Sequence, residues 1–214
     1  YVNGVLDLEI DNGFGNRSAA VAQALPYTTG SMVAATNHVL QNGGHACSPT
    51  SGFHHAYYDE GGGFCTFNGL AGAAILAAQQ GAKVGILDMD AHYGDGTDNI
   101  LARHRNLGIR HHTFGQAFPP GKKATGWSAW LDAALDDLDR CDVVLYQAGA
   151  DPHVNDPLGG QLTSKEMAMR DAAVFSNLPN VAWNLAGGYQ RDERGGIGYV
   201  LHLHTMTLIA QRNA

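Results

Sequence analysis

Asp88, Asp90 and His92 alternate along one short stretch, Asp88-Met89-Asp90-Ala91-His92. Carboxylates and a neutral imidazole make an oxygen and nitrogen donor set that suits a borderline divalent ion such as Zn²⁺. Residues two apart in an extended chain point the same way, so Asp90 and His92 can serve one ion if the chain stays extended. A catalytic zinc site keeps three protein ligands and an open position for water. Asp151, in Gln147-Ala148-Gly149-Ala150-Asp151, is the candidate third ligand. Taken singly, acids and histidines at strand ends read as solvated loop residues or helix caps; several such residues meeting at one rim argue for chemistry.

Two pairs of adjacent histidines occur. His54-His55 follows Gly52-Phe53 and precedes Asp59 and Gly61-Gly62-Gly63-Phe64-Cys65, a flexible turn that permits close backbone approach and can form a pocket wall. His111-His112 falls at a predicted strand, where one inward and one outward side chain is the simpler reading.

These residues need a scaffold that brings them together. Lys83–Leu87, Val143–Gln147 and Asn180–Leu185 are short apolar runs that predict buried strands, with a weaker strand over Gly108–Thr113. Between them lie predicted helices. Asn68–Gln80 is rich in Ala and Leu and stops at Gly81. Trp127, Trp130, Leu131, Ala134, Leu135 and Leu138 recur at helical spacing. Thr163-x-x-Glu166 is a capping box opening a helix to about Ser176. Gly196–Gln211 predicts a terminal helix, Ser31–Gln41 an early one, and Val2–Ile10 a strand. Alternating strands and helices imply a three-layer α/β/α fold with a mostly parallel central sheet. Ligands in such folds bind beyond the carboxyl ends of the strands. There the chain places Asp88–Gly96, Ala148–His153 and Ala186-Gly187-Gly188-Tyr189, which deliver carboxylates, imidazoles, glycines and a phenol to one rim.

The chain of 214 residues suits one domain, expected over 1–214 with 1–26 the least assigned part. With 13 Lys and Arg against 20 Asp and Glu, its net charge of −7 and lack of a basic cluster speak against nucleic acid as a partner. No apolar run has the roughly 18 residues of a membrane span. Cys47, Cys65 and Cys141 are too scattered for a disulfide framework, so a reducing, cytoplasmic setting is expected. The chain opens on Tyr1 with no signal-like stretch, which points to a start that is trimmed or lies upstream.

Six stretches then stand in order: Gly-Phe-His-His-Ala (52–56), Gly-Phe-Cys-Thr-Phe-Asn (63–68), Ile-Leu-Asp-Met-Asp-Ala-His-Tyr-Gly-Asp-Gly (86–96), Gln-Ala-Gly-Ala-Asp (147–151), Asp-Pro-Leu-Gly-Gly (156–160) and Ala-Gly-Gly-Tyr (186–189). Together they resemble the histone deacetylase family, including its bacterial acetylpolyamine amidohydrolase members, over roughly residues 27–200. The resemblance implies an arginase/deacetylase-like fold, shortened at both ends. It implies a zinc-dependent amidohydrolase acting on an N-acylated amine, either acetyl-lysine or an acetylated polyamine. It gives Asp90, His92 and Asp151 as ligands to one Zn²⁺, and His54 and His55 as the active-site histidines. It makes Asp88 and Asp95 their respective orienting acids, and Tyr189 the donor to the scissile carbonyl. Substrate contact falls to Gly63, Phe64, Phe118, Gly187 and Gly188. A structural K⁺ is implied beside Asp88, Asp90 and His92, with Arg110 close to where the family carries a small residue for that ion. The family's N-terminal rim loop has no recognisable counterpart. Two other readings stand beside this one: a binuclear manganese ureohydrolase of the arginase type, which needs further bridging carboxylates, and a metal-containing module that binds acyl-amines without cleaving them. The oligomeric state is left open.

Overall fold

The computed structural model describes residues 12–214; the strand expected over Val2–Ile10 lies outside them. Among the described residues five strands form one sheet: β1 (Gly44–Ser48), β2 (Val84–Asp88), β3 (Arg110–Thr113), β4 (Val143–Gly149) and β5 (Asn180–Ala186). Their order is β1-β5-β4-β2-β3, and every pair is parallel. The helices are α1 (Ala19–Asn42), α2 (Gly69–Gln79), α3 (Asp95–Leu101), α4 (Phe114–Ala117), α5 (Trp127–Leu138), α6 (Ser164–Asn177) and α7 (Gly198–Asn213).

The central strands β2 and β4 are buried at every residue, as continuous apolar runs covered on both faces require. Their side chains part with period two. Val143 and Leu145 pack with Met32, Ala35 and Val39 of α1 and Leu70, Ala74 and Ala77 of α2. Val144, Tyr146 and Ala148 pack on the other face with Leu131, Leu135 and Leu138 of α5 and Val174 and Phe175 of α6. This is the expected α/β/α sandwich. The chain passes from β2 outward to β3 and then returns to β4 on the other side of β2. The β2–β4 boundary is therefore the topological switch point, where a crevice opens beyond the strand ends.

Two elements differ from the sequence reading. The early helix begins at Ala19, well before Ser31, and runs through Pro26. Proline removes one amide donor, and Thr28 Oγ1 donates to Leu25 O at 3.2 Å in that turn. The edge strand β1 has the sequence Gly-His-Ala-Cys-Ser, with no apolar run to mark it, and it forms through backbone pairing with β5.

The capping box is built as expected. Thr163 Oγ1 accepts from Glu166 N at 3.3 Å, and Glu166 Oε2 accepts from Thr163 N at 2.7 Å. The Thr163 backbone and hydroxyl hold the Glu166 carboxyl below its usual range. A depressed carboxyl contributes stability above its unfolded pKa and loses it as pH falls through the folded value. Thr163→Ala is expected to destabilise the fold by about 1 kcal/mol, read from the urea midpoint at constant slope.

Candidate functional site

β2 ends at Asp88, and Met89 N still donates to Gln147 O of β4 at 3.0 Å. Beyond it the chain is not extended, as the sequence reading supposed. Asp88 Oδ1 accepts from Asp90 N at 3.1 Å, and Asp90 Oδ1 from His92 N at 2.9 Å. Each acid thus turns the chain by bonding the amide two residues on. Asp151 arrives from β4 and anchors across the switch point, its Oδ1 accepting from Ala91 N at 3.1 Å.

The three donor groups of Asp90, His92 and Asp151 lie within 4.8 Å of one another. His92 Nδ1 is 3.1 Å from Asp90 Oδ1 and 2.9 Å from Asp151 Oδ2. One imidazole hydrogen can serve one of these oxygens; Asp151 Oδ2, fully buried, is left with no donor directed at it. Two buried carboxylates and one imidazole aimed at a common point call for a cation. Donors about 2.0–2.2 Å from a tetrahedral ion stand about 3.3 Å apart, close to the separations seen, so the residues fit a divalent ion. Burial and the neighbouring Asp90 charge push the Asp151 carboxyl above its usual range. For Asp90, burial acts the same way but is outweighed by His54 and His92, which hold it below that range.

Beside this group stand two histidine–carboxylate pairs. His54 Nδ1 is 2.7 Å from Asp88 Oδ2, and His55 Nδ1 is 2.7 Å from Asp95 Oδ1. Their rings are 4.0 Å apart. A carboxylate at Nδ1 fixes the proton there and leaves Nε2 to do chemistry; His54 Nε2 lies 3.6 Å from Asp90 Oδ1. Sequence reasoning missed two outer partners, Gln147 Nε2 donating to Asp88 Oδ1 at 3.2 Å and Tyr57 OH donating to Asp95 Oδ2 at 2.7 Å. The histidines are pushed in opposite directions. Burial would depress His54, but Asp88, Asp90 and Asp151 outweigh it and raise it to about 9. Burial and the adjacent His54 lower His55. The histidine loop is pinned by Thr97 N donating to His54 O at 3.0 Å and Asn68 Nδ2 donating to Ala56 O at 3.1 Å.

A cavity of about 210 Å³ opens over these groups, lined by His54, His55, Gly63, Phe64, Asp90, Gly187, Gly188 and Tyr189, and also by Phe14, Ser51, Gly52 and Cys65. Burial and the Asp90 and Asp151 charges push the Tyr189 phenol well above its usual range, so it stays a donor. Its backbone is fixed by Asp156, whose Oδ2 accepts from Tyr189 N at 2.7 Å. Phe64 has φ 64°, a genuine outlier for a bulky residue; its amide donates to Gly13 O at 2.8 Å and its ring meets Phe14 and Tyr189. Phe118 is not among the cavity-lining residues. Its ring packs on Phe114 and Trp130, against the core cluster on the α5 side of the sheet. Arg110 is also displaced from its expected place, since the β2–β3 register sets Thr113 opposite Asp88 and Arg110 opposite Gly85. His111 bonds Asp98 at 2.7 Å and His112 bonds Asp137 at 2.9 Å, one buried and one partly exposed, as the simpler reading of that pair requires.

Gly187 has φ 50°, and a Cβ there would stand 2.4 Å from the Asp151 carboxylate. Gly187→Ala is expected to lower bound metal at least about tenfold, the loss typical when support around a ligand is disturbed. Metal analysis after dialysis measures it, and a full complement would contradict the assigned geometry.

Residues 11–129 match the histone deacetylase domain. An uncharacterized protein of Picosynechococcus sp. is 30% identical over 88% of this chain and 67% of its own length. The acetylpolyamine amidohydrolase of Mycoplana ramosa is 27% identical over 70% of this chain and 52% of its own; the chain thus spans about two thirds of the first relative and half of the second. A solved structure of a histone deacetylase homologue from Aquifex aeolicus superposes with a TM-score of 0.74 at 21% identity, covering 99% of this chain and 67% of that one.

Proposed function

The chain belongs to the histone deacetylase family, and from that premise we propose that it is a one-domain, zinc-dependent amidohydrolase that removes an acetyl group from a small N-acylated amine or from acetyl-lysine. The observation that carries this reading is the convergence of Asp90, His92 and Asp151 with two His–Asp pairs and Tyr189 around one cavity. Asp90, His92 and Asp151 would hold a divalent ion, which when bound would acidify a water to a pKa of about 7 and act as a Lewis acid toward the carbonyl. The histidines supply the proton path: one Nε2 takes the proton of the attacking water, and a protonated imidazole returns one to the leaving amine. Asp88 and Asp95 hold each ring in the tautomer that this needs. The Tyr189 hydroxyl donates to the carbonyl oxygen as negative charge gathers on it.

Gly63 and Phe64 support a slot for a slender alkyl chain. A Cβ on Gly63 would stand 2.5 Å from the His55 ring, so the slot wall lies directly on the catalytic pair. Two alternatives are weaker. Among the described residues one group of three metal donors is found, which favours one ion over the binuclear arginase-type centre. A purely binding module has no use for two oriented histidines and a phenol donor. The K⁺ beside Asp88, Asp90 and His92 rests on the resemblance alone. The Asp88 oxygens already take three donors, from Asp90, Gln147 and His54. The cytoplasm remains the expected setting, supported by Cys47, Cys65 and Cys141 as free thiols, and among the described residues no helix is long and apolar enough to cross a membrane.

The test is the ratio of kcat/KM for an acetylated diamine and an acetyl-lysine peptide. The diamine is expected to be hydrolysed at least as well, because the cavity wall at Gly63 and Phe64 suits a slender alkyl chain that an acetylated diamine supplies in full. A peptide preference above about tenfold, or roughly 1.4 kcal/mol, would overturn the small-amine reading.

A further inference from the structure

Behind the cavity floor lies a charged cluster that the proton chemistry does not use. Arg170 of α6 has a side chain 1% exposed. Its Nε donates to Asp171 Oδ1 at 2.8 Å, and its Nη1 donates to Gly149 O at 2.7 Å and reaches Met89 O at 3.4 Å. Asp171 is held in turn by Tyr146 OH and by Thr207 Oγ1. The two carbonyls are the informative partners. Met89 immediately precedes the ligand Asp90, and Gly149 stands two residues before the ligand Asp151. Gly149 is also where the two ligand strands touch, since a Cβ there would lie 2.6 Å from Asp90 Cα and 2.9 Å from Asp151 Oδ1.

From this geometry we infer that Arg170 is a positioning residue for the metal centre, a clamp that fixes the spacing of the Asp90 and Asp151 loops across the switch point. The inference rests on the metal-centre reading above and deepens it. A buried ion pair is weak grounds for a stabilising role, whereas one guanidinium spanning two carbonyls from neighbouring strands is a geometric device. Its planar fork serves Asp171 and both carbonyls at once, and a lysine ammonium at the end of a single stem cannot reproduce that reach. The outer supports of metal ligands typically govern affinity by 10–100-fold.

Two variants test this. Arg170→Lys keeps the charge beside Asp171 and loses the fork. The double variant Arg170→Met with Asp171→Asn removes both charges together, so no unpaired carboxylate is buried; the asparagine oxygen can still accept from Tyr146 OH, and its amide can donate to Thr207 Oγ1, which Asp171 Oδ2 accepts from in the parent. Thr207→Val is the control, because it weakens the same cluster without touching either carbonyl. Zn²⁺ affinity is measured by chelator competition on the full chain, alongside the melting temperature of each metal-free protein. The expected result is a weakening of at least about tenfold in both Arg170 variants and less than about twofold in Thr207→Val, whatever the change in melting. Unchanged affinity in the Arg170 variants overturns the clamp while leaving the centre intact. Failure of both variants to fold overturns it as well, since the pair then serves the fold. If the unaltered protein binds no Zn²⁺, the metal-centre reading itself fails, a result distinguishable from the other two.

Discussion

Asp151→Asn is expected to empty the metal centre and, in the same variant, to raise the melting temperature of the metal-free protein. The asparagine oxygen still accepts the Ala91 amide that Asp151 Oδ1 accepts at 3.1 Å, so the loop is kept. What is lost is the anionic ligand. Metal content should fall from one ion per chain to less than about a tenth, and turnover by about a thousandfold or more, because unassisted water has a pKa of 15.7 against about 7 on zinc. The stability gain follows from the sign of the shift. Burial and Asp90 raise the Asp151 carboxyl, and that net shift already includes the attraction of His92. An acid whose folded pKa lies above its unfolded one opposes folding once pH rises past the unfolded value. A neutral side chain removes this cost, so the metal-free variant is expected to melt above the metal-free parent. A variant that keeps its zinc and its rate would show that Asp151 is no ligand.

Tyr189→Phe is expected to cut kcat by about 10²–10³-fold while leaving metal content and melting temperature in place. The backbone bond from Tyr189 N to Asp156 survives the change, so the ring stays seated against Phe64 and only the hydroxyl is lost. An unaltered rate would turn Tyr189 into a loop aromatic and leave the carbonyl oxygen without its protein donor.

What the sequence made legible and what it hid divide along physical lines. Strands β2 and β4 announce themselves because burial on both faces demands unbroken apolar runs, and the acids that follow them stand where the sheet must end. Asp90, His92 and Asp151 are therefore readable in place, and the structure brings them together. The edge strand β1 is hidden because Gly44–Ser48 owes its conformation to pairing with a segment more than a hundred residues away. The same holds for Gln147, Tyr57, Asp156 and Arg170, which act through bonds to side chains and carbonyls distant in sequence and so leave no spacing to read. Asp156 did carry a signal, the Asp-Pro-Leu-Gly-Gly stretch, but nothing local ties it to the Tyr189 amide. Phe118 shows how far register alone reaches: it marks an aromatic beside Pro119 and Pro120, whereas the ring contacts to Phe114 and Trp130 depend on segments the register does not show. The abundance of glycine, 28 residues in all, is explained in part by the same crowding, as at Gly187 against Asp151 and Gly63 against His55.

The central claim is that one divalent ion, held by Asp90, His92 and Asp151, is required for amide hydrolysis in this cavity. The direct measurement is a titration of metal-stripped protein with Zn²⁺ while the hydrolysis of an acetylated diamine and an acetyl-lysine peptide is followed on the same sample. Activity on at least one of the two should be absent without metal, rise linearly, and reach its plateau at one ion per chain. Hydrolysis that persists in the stripped protein, or that appears only as a second ion per chain is added, would contradict it.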